Sequence, residues 1–445
     1  MRVNVRFNYY TTQFNILQTL IYCGIIIYGR VAEWFKALVL KTSMVTPSQV
    51  RILSLPPYFM KKGKIIIIAV ISAIFIFLVF VGIRMATLDT SINLVTSYKS
   101  PEIADAKIDF ASDSEWAVSL NGETISKNSD EVRPTASTAK MILALAVMKA
   151  KPFELGEAGE TITIDQEMYD RYIWYRSHNG SNTPVKIGEE ISEYDAISSA
   201  LLASSNNMAD ALAIWAFGSI EEYRNYATEM LKVIGANNTT IGKDASGYDE
   251  STVSTAEDLA KIGNLVLNQP VLAEIVAKTE TTVPVAGVIK NTNKLLGTNR
   301  IIGIKTGYIG EPSGYCLVSG YKEGLENVTV ALLNAPTRQK SFDDSLAIVT
   351  EAQEKIKTRE LVAENQEVGY FESWWLGKIP IVASNKIDGV AISEPTVYLE
   401  MEDFDGALKI MTNETEYTTN VKSEKFEKEP DFWQRFLHVF SWSLI

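Results

Sequence analysis

Histidine is almost missing from this chain. The 445 residues hold two, His178 and His438. A nucleophile that depends on imidazole would have to use His178, in the loop-like "SHNGSN", because His438 lies among aromatics near the C-terminal end. The simpler reading of His178 is a solvated loop side chain. Cysteine is as scarce: Cys23 and Cys316 are too few and too far apart for a disulfide framework or a thiolate metal site. Cationic excess is absent as well. A net charge of -12 argues against nucleic-acid binding, since phosphate contacts need clustered Lys and Arg. No internal repeat or low-complexity tract stands out. With 46% hydrophobic and 22% charged residues the chain reads as globular, and its length suggests two or three domains.

One apolar run is long enough to span a membrane, "IIIIAVISAIFIFLVFVGI" from Ile65 to Ile83, with Lys61, Lys62 and Lys64 before it. Lysines on that side stay in the cytoplasm, so the chain beyond Arg84 is expected outside. A cleaved signal peptide would have a shorter apolar core and a small-x-small site, and "VGIRMATLD" is a poor one. An uncleaved single-pass anchor over 60–84 is the expectation. "MKKGKIIII" reads as a natural start at Met60. "GRVAEWFKALVLKTS" and "SQVRILSLPP" upstream resemble a serine tRNA gene read as codons. Gly29-Arg30-Val31 can be written GGG AGA GTG, and Ser54 to Pro57 can hold the complementary CTCTCCC with a terminal CCA. Residues 1–59 are therefore expected to be a mis-annotated extension without function.

After the anchor, 85–109 reads as a polar tether. "EWAVSLNGETIS" reads as a hairpin turning at Asn121-Gly122, where both turn positions need positive φ. Helix-like segments come next, at Lys140–Lys149, Glu193–Phe217, Ile220–Ile234 and Thr255–Leu267. From Ile301 the pattern turns to strands, and Ser341–Lys357 reads as a closing helix. Strands at both ends with helices between predict an α/β sheet whose edges come from distant parts of the chain. A catalytic domain is expected over 110–357 and a small β domain, of short alternating runs, over 358–428. The tail 429–445 places Phe432, Trp433, Phe436, Leu437 and Phe440 at helical spacing. Two readings fit it: an interfacial membrane helix, or a helix packed on the β domain.

The chemistry sits in three short motifs. "TASTAKM" puts Ser137 and Lys140 at i and i+3, one turn apart on a helix that runs on into the apolar "MILALAVM". The amine can then reach the hydroxyl, burial would lower its pKa towards that of a base, and free backbone N–H groups at the helix start could stabilise an oxyanion. "LLASSNNMADALA" contains Ser204-Ser205-Asn206 in a helical region, and "GIKTGYIG" contains Lys305-Thr306-Gly307 on a strand. Each motif is common alone. Asn206 could be a helix cap and Lys305 a surface lysine on an edge strand.

In this order, the three resemble the S-x-x-K, S-x-N and K-T-G set of the penicillin-binding protein and serine β-lactamase superfamily. Over roughly 110–350 the chain is similar to the low-molecular-mass D-alanyl-D-alanine carboxypeptidases. "ASSNNMADALA" resembles their S-G-N-D-A-A-x-A-L-A segment, with Ser205 and Asn207 replacing Gly and Asp. "DASGYDESTVSTAEDLAKIG" and "NTNKLLG…IGIKTGYIGEPSGYCLV" resemble further stretches of that family. The resemblance implies a transpeptidase-like α/β fold, with an antiparallel sheet, helices on both sides and a helical subdomain, followed by a small all-β domain. It also implies roles. Ser137 attacks the carbonyl of the penultimate D-alanine of a peptidoglycan stem peptide. Lys140 takes its proton, and Ser204 relays it to the leaving D-alanine. Asn206 holds a substrate amide and helps to fix Lys140. Lys305 supplies positive potential, Thr306 binds the terminal carboxylate, and Gly307 lets the peptide lie close. The N–H groups of Ser137 and Tyr308 form the oxyanion hole. β-Lactams would acylate Ser137, and the route needs no metal or cofactor.

Two alternatives remain. A class A β-lactamase needs a glutamate in an E-x-x-x-N loop; Glu221 and Asn225 have that spacing but fall in a predicted helix. A sensor would be acylated and never turn over. Cys316 reads as a small buried apolar residue. "MYDRYIWYRSHNG" fits either core packing or the wall of a substrate cleft.

Overall fold

A computed structural model of the chain describes residues 57–441, residue 104 excepted. Residues 1–56, and with them nearly all of the expected tRNA-like extension, lie outside the described residues, as do 442–445.

The first helix, Pro57–Ala86, contains a stretch, Ile67–Ala86, long and apolar enough to cross a membrane. The segment after it departs from the polar tether expected there. Asn93–Thr96 is a strand, and it pairs antiparallel with Glu367–Ser373 at the edge of the C-terminal sheet. Leu94 and Val95 give this short run enough apolar surface to dock. Further on, Ala106 and Ile108 are buried in one core with Trp116, Val118 and Leu120.

The central sheet has five antiparallel strands in the order Ile304–Gly307, Tyr315–Glu323, Glu326–Ala335, Glu115–Leu120, Glu123–Lys127. Its edges come from distant parts of the chain, as the sequence predicts. The hairpin turns at Asn121 and Gly122, with φ of 48° and 93°. Alternation along the strands feeds two cores. Trp116, Val118, Val330 and Leu332 face one side, with Phe342, Ile348 and Val349 of the helix Arg338–Lys355. Ala117, Val318 and Ala331 face the other, with the helix Ala256–Asn268 and the buried helix Lys140–Ala150. This is the α/β fold expected, with helices on both sides of an antiparallel sheet.

The expected helix from Glu193 to Phe217 is two helices, Glu193–Leu201 and Asn206–Phe217. The break falls where Ser204, Ser205 and Asn206 offer side-chain oxygens that favour caps over helix interiors. The Ser205 hydroxyl accepts from the N–H of Met208, and Ser204 takes a left-handed φ of 60°.

Five strands of the C-terminal region, with Asn93–Thr96 as the sixth at one edge, form an antiparallel sheet over a core that includes Ile381, Leu408, Ile410 and Val421. It joins the five-stranded sheet through Glu326, whose carboxylate accepts from the hydroxyls of Tyr417 (2.7 Å) and Thr415 (2.9 Å) and from Asn121 Nδ2. The last helix, Phe432–Ser441, packs on the first helix, with Phe440 against Phe77, and His438 stacks on Trp374 of the β region. Phe432, Trp433 and Leu437 remain 61%, 66% and 64% exposed.

Candidate active site

Ser137 lies in a tight 3-10 turn, Ala136–Ala139, that runs directly into the helix beginning at Lys140. Ala136 holds a left-handed φ of 48°, an uncommon conformation for a residue with a Cβ, and it turns the chain sharply ahead of the serine. Lys140 is fully buried among apolar neighbours on this helix. Its Nζ lies 2.8 Å from each of three oxygens: Ser137 Oγ, Asn206 Oδ1 and the main-chain oxygen of Ser246. Two of these are pure acceptors. A neutral amine satisfies both with its two hydrogens, which leaves its lone pair for the hydroxyl of Ser137. Burial, opposed by the charges of Asp244 and Asp210, brings the Lys140 pKa down to about 7, so the neutral form is accessible.

The break between the two helices brings Asn206 to this amine. Ser204, two residues before it, is buried. Asn207 ties the helix start to the preceding loop, accepting from the N–H of Thr183 (2.9 Å) and donating to its carbonyl (3.0 Å). The loop that carries His178 therefore passes close to Asn206. The His178 ring itself stacks on Trp174 and bonds to the Trp174 carbonyl.

The edge strand Ile304–Gly307 closes the other side. A Cβ at Gly307 would lie 3.0 Å from the Thr135 carbonyl oxygen and 3.1 Å from the Ser137 nitrogen, so the strand is seated against the serine's own turn. Lys305 is buried, and its amine donates to the Thr306 carbonyl at 3.1 Å. Burial, reinforced by Lys140, holds its pKa well below the ordinary lysine value. The Thr306 hydroxyl pairs with that of Thr292 at 2.7 Å. Tyr308 is half exposed and stacks on Tyr315.

A cleft of about 1040 Å³ opens beside this group. Its walls include Arg171, Trp174 and Tyr175, Tyr248, and Ile309 and Pro312 from beyond the edge strand. In "MYDRYIWYRSHNG", Met168, Tyr172 and Tyr175 are buried, while Arg171 and Trp174 face the cleft. Glu221 stands on an exposed helix face and pairs with Arg224 at 3.8 Å. Cys316 is buried, which pushes its thiol up to about 12.

The sequence reading missed Ser246, whose contribution is a main-chain oxygen with no side-chain signature. It also missed Asp210, which joins helix Gln166–Ser177 to the segment around Ser246 through Tyr175, Arg171 and Ala245.

A family model described as D-alanyl-D-alanine carboxypeptidase matches residues 102–337, more than half of the chain. The D-alanyl-D-alanine carboxypeptidase DacF of Bacillus subtilis is 26% identical over 252 residues, which cover 54% of this chain and 61% of that protein, less than two thirds of its length. A D-alanyl-D-alanine endopeptidase of Escherichia coli is 26% identical over 264 residues, covering 57% and 79%. The fold is similar to the crystal structure of the D-alanyl-D-alanine carboxypeptidase DacD from Francisella tularensis, with a TM-score of 0.51 at 18% identity, over 75% of this chain and 98% of that one.

Proposed function

Because the chain belongs to the D-alanyl-D-alanine carboxypeptidase family, we propose that it is a serine D-alanyl-D-alanine carboxypeptidase that trims the terminal D-alanine from peptidoglycan stem pentapeptides. The observation that carries this reading is the 2.8 Å contact between a buried lysine amine and the hydroxyl of a serine on the same turn.

The geometry supports one course of reaction. Ser137 Oγ attacks the carbonyl carbon of the penultimate D-alanine while its proton passes to the lone pair of Lys140. The N–H groups of Ser137 and Tyr308 receive the oxyanion; a donor of this kind contributes about 10²–10³ in rate. Ser204 carries the proton onward to the nitrogen of the departing D-alanine. Water then attacks the acyl-enzyme and returns the hydroxyl of Ser137. Asn206 orients Lys140 and a substrate amide. Lys305 supplies positive potential, Thr306 holds the terminal carboxylate, and Gly307 allows the peptide to lie along the edge strand. β-Lactams present a strained amide to the same hydroxyl and acylate it.

The domain reading goes with this function. Residues 60–84 anchor the chain in the cell membrane by a single pass, 110–357 form the catalytic domain on the extracytoplasmic side, 358–428 the small β domain, and the amphipathic helix Phe432–Ser441 follows. The β-lactamase alternative loses its deacylating glutamate, since Glu221 sits on a solvated helix face.

The deciding experiment is incubation of the full chain in detergent with a stem pentapeptide ending in D-Ala-D-Ala. Release of one D-alanine per peptide is expected, and Ser137→Ala abolishes it. Stoichiometric labelling by penicillin without any release of D-alanine would mark a sensor instead.

A further inference from the structure

Lys140 has three partners, and two come from side chains that motifs assign. The third, the carbonyl of Ser246, must be held in place by something other than its own side chain. We propose that Asp210 is a positioning residue for the proton transfer between Ser137 and Lys140, acting through residues 244–248. The proposal rests on the carboxypeptidase reading above.

Three observations carry it. First, Asp210 lies four residues after Asn206, on the same face of one helix. Asn206 contacts the amine directly. Asp210 reaches it through a short piece of main chain: its Oδ1 accepts the N–H of Ala245 at 3.1 Å, and the carbonyl of the next residue, Ser246, accepts from Lys140 at 2.8 Å. One helix thus fixes two of the three ligands of the amine.

Second, Asp210 is itself over-determined. It is 1% exposed, and its Oδ2 accepts from the Tyr175 hydroxyl (2.8 Å) and from Arg171 Nη1 (3.0 Å). An apolar side chain at this point of a buried helix would avoid desolvating a carboxylate. In the family pattern S-G-N-D-A-A-x-A-L-A, position 210 is the unassigned x.

Third, the segment it holds has no slack. Asp244 Oδ1 accepts from the N–H of Ser246 (2.7 Å) and of Tyr248 (3.1 Å). Gly247, at φ +70°, presses on the nucleophile turn so closely that a Cβ would stand 2.0 Å from the Ala136 carbonyl oxygen. A shift at Ala245 is therefore passed to Ser246 and not absorbed.

The charges that face the amine are those of Asp210 and Asp244 on one side and Lys305 on the other, with Arg171 behind Asp210. Removing the negative charge of Asp210 makes Lys140 easier to deprotonate, while loosening Ser246 makes its aim poorer.

The test is the rate of acylation by labelled penicillin, followed against pH in the full chain in detergent. Asp210→Asn is expected to lower the plateau rate about tenfold, the scale of a modestly misaimed base, and to move the midpoint to lower pH. Apparent affinity for the penicillin stays within about twofold of the parent, on the same grounds. A role in stability alone would lower the melting temperature and leave plateau and midpoint in place, and that result overturns the proposal. If Asp210→Asn does not fold, Tyr175→Phe decides, because it removes one donor and keeps the charge. A plateau lowered about threefold with an unmoved midpoint supports the proposal, and a parental plateau overturns it. Ser137→Ala runs in parallel: if that protein still labels, the carboxypeptidase reading fails, whereas a dead Ser137→Ala beside an unaffected Asp210→Asn defeats only this inference.

Discussion

Asn206 Oδ1 sits 2.8 Å from the amine of Lys140, as close to it as the hydroxyl of Ser137. The side chain that accepts from this amine thus also decides where its lone pair points. Asn206→Ala leaves a buried amine one acceptor short and free to turn from Ser137. Acylation by penicillin is expected to fall by about 10–100-fold, as for other misdirected general bases. Stopped-flow labelling checks this, and a variant that acylates at the parental rate removes Asn206 from the mechanism.

Acylation should rise as pH increases through about 7, because Lys140 accepts a proton only when neutral and its pKa is brought down to about 7. At pH 6 the rate should be about tenfold below its plateau for a single base of that pKa. A rate flat from pH 5 to 9 would exclude Lys140 as the base.

The same shift makes a stability prediction. The unfolded chain keeps its Lys140 proton up to about 10.5 and the folded one only to about 7, so between these values the unfolded state binds more protons. Stability rises with pH across that window, and the deficit is largest below pH 7. Lys140→Met removes the Lys140 share of the dependence and leaves that of Lys305, whose pKa is also held low by burial. The parent should gain on this variant by up to about 1.4 kcal/mol per pH unit between pH 7 and 10, read from denaturant melts at each pH. A constant difference between the two proteins contradicts the shift.

Gly307→Ala is expected to leave the melting temperature nearly unchanged and to cut acylation about tenfold. The new methyl would crowd the Thr135 carbonyl oxygen and the Ser137 nitrogen at 3.0–3.1 Å and move the edge strand from the serine's turn. A displacement of that size is ample to misalign an acyl acceptor.

Phe432, Trp433 and Leu437 form an apolar face left largely uncovered among the described residues. Changing Trp433 and Leu437 together to Glu should weaken retention on anionic lipid vesicles once residues 57–86 are deleted, and change little while that helix is present. Each buried side chain of this size contributes about 1.5–3 kcal/mol. Vesicle co-sedimentation gives the answer, and equal retention of both forms assigns the face elsewhere.

The local parts of this site were legible. Ser137 and Lys140 lie three residues apart, and a three-residue relation survives any tertiary arrangement. Asn121-Gly122 announced its turn for the same reason. What could not be read depends on distant pairings. The carbonyl of Ser246 meets an amine 106 positions away, and main-chain acceptors look alike in every sequence. Asp210 looked like an ordinary polar residue on a helix until Tyr175 and Ala245 closed around it. A continuous helix through Ser204 follows from propensity averaged over the segment, whereas two serines and an asparagine there form a cap. Residues 93–96 passed for tether because an edge strand this short takes its stability from Phe371 and its neighbours, not from its own composition.

That last strand has a mechanical consequence. A loose leash from Ala86 to residue 110 would reach about 80 Å when extended, and a catalytic domain on it could graze the wall at any depth. Here only residues 87–92, about 20 Å at full stretch, separate that helix from the C-terminal sheet, and Asp89 among them already accepts from the indole of Trp374. With the first helix in a bilayer, that sheet becomes a pedestal. On the proposed reading, Ser137 would then meet substrate at one height above the membrane, and substrate beyond that height would stay out of reach however well it fits the cleft.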